Sequence, residues 1–473
     1  MNFVTVQYLV FVIIVFFIYW HLNRKYQNIF LLIASYYFYA CWDWRFLSLI
    51  IISTITDFIS GQKIFQAKNQ KLKRFWLIFS LVVNLGVLGY FKYFNFFADS
   101  LITLAQSIGW NLSQTTLHII LPVGISFYTF QTLSYSIDIF RGKLKPTNSI
   151  IDFGAFVAFF PQLVAGPIVR AREFIFQLEK KRVFTSDDFQ YGLRRFLLGF
   201  FKKAFIADTI AVHLVDPVFA NPGNYSSITL WIAIIGYSIQ IYADFSGYSN
   251  MAIGTAKILG FNIPENFNFP YLAKNISDFW RRWHMTMSRF FRDYVYIGLG
   301  GNRGTILRTN VNLIITTLIS GLWHGAGWTF VIWGGLHGLY TAIYQTFNRW
   351  KIKNISQNIH FGFLGSLIGW FFTQSAVLFA WILFRAQDFS SSWIYLKGLF
   401  NSTGTNSIEI SILVWIAFLS FVFDHIGGWL LENKNILINK VPNLLQAAVY
   451  ATIIIFLFNA RPADINPFIY FQF

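Results

Sequence analysis

The side chains in this sequence that could transfer protons near neutral pH are its histidines, because an unperturbed imidazole titrates in that range. The eight histidines are His21, His118, His213, His284, His324, His337, His360 and His425. Five of them lie near the ends of apolar runs or in them, and we interpret these as interface or packing residues: His21, His118, His213, His360 and His425. His284 and His324 lie in patterns that favour chemistry, and His337 is left without an assigned role.

His324 lies between two apolar segments, in the run Ser320–Trp328. An ionisable side chain at that depth in a membrane is costly and is therefore a candidate for function. Glycines at 321, 325 and 327 permit a break in the helix and close approach of a substrate. Trp323 and Trp328 are expected to wall the gap. The structural alternative is that the glycines serve helix packing and His324 only bonds a neighbouring carbonyl.

His284 lies in the arginine-rich segment Asp278–Arg292. Wound as one continuous helix at about 100° per residue, the segment gathers four arginines on one arc and aromatic residues on the opposite arc. The arginines are Arg281, Arg282, Arg289 and Arg292. This pattern predicts an amphipathic helix in the membrane interface, with His284 on the seam at the mouth of a polar pocket. An ordinary interfacial anchor helix is the alternative.

Three further polar clusters stand in apolar surroundings. They are Gln240–Tyr248, which carries the lone acid Asp244, and the segments Ser126–Gln131 and Pro161–Pro167. Buried polar groups need partners, so bonding between helices is the expected role and pocket lining the alternative. We find no nucleotide-binding glycine loop, no zinc-peptidase motif and no Cys/His metal spacing, and therefore predict no metal site.

The composition requires a membrane. Of 473 residues, 55% are hydrophobic and only 12% are charged, about half the charged share of a soluble domain. A net charge of +17 falls in short loops, which favours lipid headgroups over nucleic acid as the partner. The lone cysteine, Cys41, permits no internal disulfide.

Apolar runs recur from Phe3–Leu22 to Leu444–Phe458, and we expect the first to be retained rather than cleaved as a signal peptide. Phe153–Val164 and Leu313–Leu322 are too short to cross a bilayer and predict re-entrant or broken helices. The sequence thus predicts an all-α polytopic membrane protein with roughly eleven to thirteen embedded helices in a single domain, residues 1–473. We find no linker and no repeat.

Five ordered motifs resemble those of the membrane-bound O-acyltransferases, and within them the alginate O-acetylation branch. The motifs are Leu121–Gln131, Phe160–Ile168, Asp244–Tyr248, Asp278–Gly301 and Gly321–Gly325. The resemblance covers essentially the whole chain. It implies a ring of helices around a central tunnel, with His324 as the invariant catalytic histidine and His284 as the second, less strictly required one.

The resemblance also implies a function. Acetyl groups would pass from a cytoplasmic donor such as acetyl-CoA, a substrate rather than a tightly bound cofactor, to an extracytoplasmic polysaccharide, often through a separate periplasmic acyltransferase. We expect a multi-pass protein of the bacterial inner membrane in which His324 is general base or transient acyl carrier, and Arg281 and Arg282 hold the acidic donor. The acceptor stays open among alginate, cellulose, peptidoglycan and other exopolysaccharides. D-alanyl transfer to teichoic acid and proton-coupled transport are the alternative functions.

The distribution of basic residues predicts the orientation. Lys63–Arg74, Arg141–Lys145, Arg170–Lys203 and Arg281–Arg308 are basic and are expected in the cytoplasm. A reporter that is active only outside the cytoplasm should therefore be on when fused in the Asp216–Ser227 loop and off in Lys63–Arg74. The opposite pattern would invert the orientation.

Overall fold

The computed structural model describes residues 3–110, 119–164, 166–354, 362–401, 403–428, 452 and 468. Over these residues the secondary structure is helical, and the only pairing of extended segments there is an isolated bridge between Tyr225 and Asn406. The predicted all-α class is confirmed.

Five helical segments are long and apolar enough to cross a membrane: Arg24–Gln66, Gln70–Ser107, Ser227–Ile258, Ile306–His324 and Gly362–Arg385. Three shorter apolar helical segments accompany them, Val6–His21, Ile150–Leu163 and Ile412–Gly427. The chain is therefore a multi-pass membrane protein. The predicted total of eleven to thirteen helices stays a prediction, and the run Leu444–Phe458 lies outside the described residues except for Thr452.

The chain forms two compact units. The first comprises Met1–Phe196 and Met251–Pro264, and the second Leu197–Asn250 and Glu265–Phe473. The α-helices that begin in the first unit are Val6–His21, Arg24–Asp43, Leu47–Gln66, Gln70–Leu88, Phe94–Ser107, Ile125–Phe140, Ile150–Val157, Phe160–Leu163, Ala171–Glu179 and Ser186–Phe201, with a 3₁₀ turn at Trp44–Phe46 and a π-helical turn at Gly89–Tyr93. One functional domain over residues 1–473 stays a prediction.

In the first unit, a buried carboxylate joins three helices. Asp57 accepts hydrogen bonds from the hydroxyls of Ser80 and Ser136 and, at 2.6 Å, from the side-chain amide of Asn84. The donors belong to Gln70–Leu88 and Ile125–Phe140, so polar bonds link helices that are otherwise apolar. Such bonds between helices are the usual way to satisfy a polar group that has no access to water.

The α-helices that begin in the second unit are Asp208–Ile210, Asp216–Ala220, Ser227–Ile258, Ile276–Arg282, Met285–Phe290, Ile306–His324, Trp328–Asn354, Gly362–Arg385, Phe389–Phe400 and Ile412–Val422. Wider π-helical turns occur at Lys202–Ala207, Ala211–Val215, Phe291–Tyr296 and Phe423–Gly427, and 3₁₀ turns at Pro222–Asn224 and Pro270–Leu272.

The two short apolar runs have different outcomes. Phe153–Val164 is broken as predicted, because Ile150–Val157 ends before the separate helical turn Phe160–Leu163. The expectation for Leu313–Leu322 is wrong, since this run belongs to the 19-residue helix Ile306–His324. The helix begins seven residues before the apolar run, in a stretch with several polar residues that the hydrophobic pattern does not include. Thr305 caps its start by accepting a hydrogen bond from the Arg308 N–H.

The last two residues of the basic segment Arg170–Lys203 do not lie in a solvated loop. Lys202 and Lys203 are buried. Lys203 Nζ lies 2.6 Å from Asp244 and 2.7 Å from Asp208, and Lys202 pairs with Asp424 at 2.7 Å. The expected role of Asp244 in bonding between helices is thus confirmed, because Asp244 lies in Ser227–Ile258 and its partner Lys203 lies in the separate helical segment Lys202–Ala207.

Glycines bring two helices of the second unit into backbone contact. A Cβ atom at Gly321 would overlap the Phe330 carbonyl oxygen, and one at Gly334 would overlap the Thr317 carbonyl oxygen. Helices Ile306–His324 and Trp328–Asn354 therefore pack through small residues, as membrane helices commonly do.

We expect Gly334→Ala to lower the thermal stability of the protein by about 1–3 kcal/mol, the usual cost of overpacking, because the obstructing atom belongs to the backbone. Melting of the detergent-solubilised protein measures this. Gly335→Ala is the matched control, since its Cβ would meet only the flexible Leu318 side chain, at 3.2 Å. Equal melting of the two variants would contradict the backbone contact.

Candidate functional site

His324 is the last residue of its helix and is 2% exposed. Gly325 follows in an extended conformation, with φ −151° and ψ 145°, and the next helix begins at Trp328. The predicted break at His324 is therefore confirmed. The imidazole sits where the helix stops, so its surroundings are set by neighbouring side chains rather than by a further helical turn.

Aromatic rings surround the His324 imidazole. The ring centroids of Trp323, Trp333 and Phe384 lie 4.9, 5.0 and 5.5 Å from that of His324. The expectation for Trp323 is confirmed, whereas Trp328 is 52% exposed and its expected role stays a prediction. Trp333 also walls the site, because it lies about one and a half turns into the following helix, where the glycine contact turns it towards His324.

The predicted continuous amphipathic helix over Asp278–Arg292 is wrong. The segment forms two short helices, Ile276–Arg282 and Met285–Phe290, and His284 lies between them in the left-handed region with φ 42°. Backbone hydrogen bonds with the preceding loop stabilise the break. The Asn268 N–H donates to the Arg282 carbonyl, and the Met285 N–H donates to the Asn266 carbonyl.

Because of this break, His284 does not lie on a seam facing water but is fully buried. Its Nδ1 is 3.0 Å from Asn266 Oδ1, and the same oxygen accepts from the Thr286 hydroxyl at 2.8 Å. The Asn266 amide donates to Ser249 Oγ at 3.2 Å. Since the amide oxygen can only accept, Nδ1 of His284 carries the proton and Nε2 has the lone pair.

Burial also fixes the charge of His284, which lies outside the five long apolar helices. Removal from water disfavours the imidazolium and lowers the pKa of His284 to about 3. The ring is therefore neutral at physiological pH. A neutral imidazole with its lone pair on Nε2 can accept a proton or a hydrogen bond.

The fold brings the two predicted site histidines together. The ring centroids of His284 and His324 are 6.3 Å apart, although 40 positions separate them in the sequence. Trp323 contacts both rings, at 5.9 Å from His284 and 4.9 Å from His324. Two imidazoles this close can both act on one small group, and aromatic rings surround them.

The two predicted donor-binding arginines, Arg281 and Arg282, have different surroundings. Arg282 Nε lies 3.0 Å from Asp278 and its guanidinium also donates to the Asn268 carbonyl, so it stabilises the loop beside His284. Arg281 is exposed. Arg292 pairs with Asp293 at 2.7 Å and lines a cavity beside Ser288. The roles of Arg281 and Arg282 stay predictions.

Three residues of this region were missed in the sequence: Asn266, Trp333 and His337. Asn266 fixes the tautomer of His284, Trp333 packs on His324, and His337 lies on the far side of Trp333, with ring centroids 4.8 Å apart. The sequence offers one signal, the spacing of Trp333 and His337 by four residues, which puts both on one helix face.

Comparison with known proteins places this site within a recognised sequence family. Residues 143–386, which include both histidines, match the model of the membrane-bound O-acyltransferase family. The probable alginate O-acetylase of Azotobacter vinelandii is 44% identical over 80% of this chain and 73% of its own length. The peptidoglycan O-acetyltransferase of Helicobacter pylori is 37% identical over 82% of this chain and 76% of its own.

A third relative is more distant. The teichoic acid D-alanyltransferase of Bacillus subtilis is 31% identical over 49% of this chain and 60% of its own length. Similarity to the two O-acetyl-transferring relatives thus extends over most of the chain, whereas similarity to this D-alanyl-transferring one covers about half.

The contact between Asn266 and His284 predicts the effect of a charge. Asn266→Asp puts a carboxylate beside Nδ1, which favours the imidazolium and should raise the pKa of His284 by about 1–3. Nitrogen-15 NMR of histidine-labelled, detergent-solubilised protein measures this pKa. Asn268→Asp is the control, since Asn268 is exposed two residues away. An unchanged His284 pKa in Asn266→Asp would contradict the contact.

Proposed function

The chain belongs to the membrane-bound O-acyltransferase family, and we propose that it transfers acetyl groups from a cytoplasmic thioester to hydroxyl groups of an extracytoplasmic polysaccharide. It is a membrane-embedded O-acyltransferase. The observation that carries the site assignment is the pair of buried histidines, His284 and His324, whose rings are 6.3 Å apart.

The choice of acetyl over D-alanyl is supported by the relatives. The O-acetylase of Azotobacter vinelandii and the O-acetyltransferase of Helicobacter pylori resemble the chain over 80% and 82% of its length, against 49% for the D-alanyltransferase of Bacillus subtilis. The two acetylating relatives are named for different polymers, alginate and peptidoglycan. We therefore propose an acetylated surface polysaccharide without assigning which one.

In the proposed reaction, His324 acts on the acyl group. As general base it removes the proton of the acceptor hydroxyl, the oxygen attacks the thioester carbonyl, and the carbon–sulfur bond breaks as the thiolate takes the proton back from the imidazolium. As acyl carrier, the same imidazole would attack the thioester carbonyl first, the carbon–sulfur bond would break and release the thiolate, and the acceptor oxygen would then take the acetyl group from the ring while its proton passes to the thiolate. A placed imidazole contributes about 10²–10⁴ in rate.

His284 has a supporting role in this proposal. Its protonated Nδ1 is fixed by Asn266, so Nε2 can accept a hydrogen bond from the substrate or from the leaving thiol. The ring stays neutral because it is buried, and a neutral ring can accept a hydrogen bond in each turnover without retaining a proton.

Donor and partners are part of the same proposal. Acetyl-CoA or another cytoplasmic acetyl thioester is the donor, with Arg281 and Arg282 as its candidate contacts, and the exposure of Arg281 supports such a role. Anionic membrane lipids and a separate extracytoplasmic acyltransferase are the proposed partners, and the bacterial inner membrane is the proposed location. No nucleic acid takes part.

We expect His324→Ala to reduce acetylation of the surface polysaccharide by at least about 10², while the protein still inserts and accumulates, because the substitution removes the base without touching the glycine contact. Ester-bound acetate in extracted polysaccharide is the measurement, with the protein quantified in the same membranes. His284→Ala should impair acetylation less completely.

His213→Ala is the matched control, because it removes an exposed histidine of the second unit. Normal acetylation in a well-accumulated His324→Ala strain would overturn the assignment of His324.

A further inference from the structure

A cavity of about 270 Å³ lies beside the two histidines of the proposed site, between the helices Ile306–His324 and Trp328–Asn354 and the segment Trp280–Tyr296. Its volume is close to the lower end of small-ligand sites, about 300–1,000 Å³. Rings and aliphatic groups form most of its wall, among them Trp280, Phe291 and Trp333. Neither His284 nor His324 is among its lining residues, so the catalytic proposal does not account for this cavity.

Four side chains in the cavity wall have buried polar atoms that make no hydrogen bond within the described part of the chain. They are the imidazole of His337, with both ring nitrogens, the hydroxyl of Ser288 and the indole N–H groups of Trp280 and Trp333. His337 is fully buried, and its ring is 5.0 Å from that of Trp280. A buried polar group without a hydrogen bond costs about 1–3 kcal/mol, so four of them in one cavity indicate a site built for a ligand.

The threonine hydroxyls of the wall are already engaged. Thr316 donates to the Asn312 carbonyl at 2.7 Å, Thr341 donates to the His337 carbonyl at 2.8 Å, and Thr317 donates to carbonyls of its own helix. Among the buried groups, the hydrogen-bonding capacity that remains is therefore three donors and one imidazole along an apolar slot, and the half-buried Tyr296 and Gln345 complete the polar part of the wall. That capacity suits a narrow chain carrying amide groups.

The charge of the wall agrees with a neutral ligand segment. Arg292 is the one charged side chain among the residues that line the cavity, and it is exposed and paired with Asp293. An amide-bearing arm could thus lie along His337 while an anionic end remains near the exposed arginine. The thioester end would then lie towards Trp333, whose ring packs between those of His337 and His324 at 4.8 and 5.0 Å.

We propose that His337 is a substrate-binding residue, which hydrogen-bonds, together with Ser288 and Trp280, an amide of the pantetheine-type arm of the acyl donor. The inference rests on the proposed acetyl transfer and deepens it, because it assigns His337 to recognition of the donor arm and not to the acyl-transfer step itself. No covalent step takes place at His337.

The test compares two donors in membrane vesicles prepared from host cells, which contain the full chain together with its proposed extracytoplasmic acyltransferase. One donor is acetyl-CoA, and the other is S-acetylmercaptoethanol, a thioester without amide groups; the acceptor is chemically deacetylated surface polysaccharide from the host. His337→Phe keeps a ring against Trp333 and Trp280 but removes both nitrogens. We expect the KM for acetyl-CoA to rise about tenfold, as for loss of one buried hydrogen bond, with kcat/KM for S-acetylmercaptoethanol unchanged.

Two further variants accompany this one. His337→Gln, which restores a donor and an acceptor, should bring the KM for acetyl-CoA back to within about threefold of wild type. His213→Phe is the control for replacing an exposed histidine by a ring and should behave as wild type. If His337→Phe does not accumulate, Ser288→Ala in the same cavity wall takes its place and should show the same selectivity for the amide-bearing donor.

The contrary results are distinct. An unchanged KM for acetyl-CoA in His337→Phe would make His337 a packing residue. An equal loss of kcat/KM with both donors would make His337 part of the acyl-transfer step. A raised KM for the polysaccharide would mean that the cavity binds the acceptor. Each of these overturns the inference and leaves acetyl transfer intact. Wild-type vesicles that transfer no acetyl group from either donor would instead overturn the proposed function.

Discussion

The backbone contact between the helices Ile306–His324 and Trp328–Asn354 is the constraint on which the site depends. Gly321 and Gly334 face the carbonyl oxygens of the opposite helix, where any side chain would overlap. In a membrane, helices gain nothing from burying apolar groups against each other rather than against lipid, so close packing of small residues must hold them. The contact sets the position of Trp333 and, one turn later, of His337 relative to His324.

A second constraint is that polar groups in an apolar chain must be satisfied by other parts of the chain. Asp57 collects hydroxyl and amide donors from two helices, and Lys203 lies between two carboxylates. Breaking such a buried pair on one side leaves an uncompensated charge, which is strongly destabilising. Asp57 and Lys203 are therefore structural, whereas four buried polar side chains of the His337 cavity make no hydrogen bond within the described part of the chain and all face one space.

The three histidines of this region are all buried, and they differ in what surrounds each ring. His284 is held by Asn266 in one tautomer, His324 stands at a helix end among aromatic rings, and His337 faces a cavity. The neutral imidazole of His284 suits the proposed proton transfer, whereas a permanent cation there would need a counter-charge. Aromatic contacts hold each ring in place without providing a competing charge.

The sequence by itself determined the membrane class and the helical break at His324, and it singled out both candidate site histidines, because these depend on local composition, on glycines beside the histidine and on motifs shared with a family. It gave the wrong helix around His284, and it predicted Trp323 beside His324 but missed Trp333. Helical periodicity describes only neighbours within a turn or two, whereas the break at His284 is stabilised by backbone bonds from Asn266 and Asn268. The pairing of Lys203 with Asp244 and the placing of Trp333 were likewise decided by tertiary structure, since each joins residues that no local pattern relates.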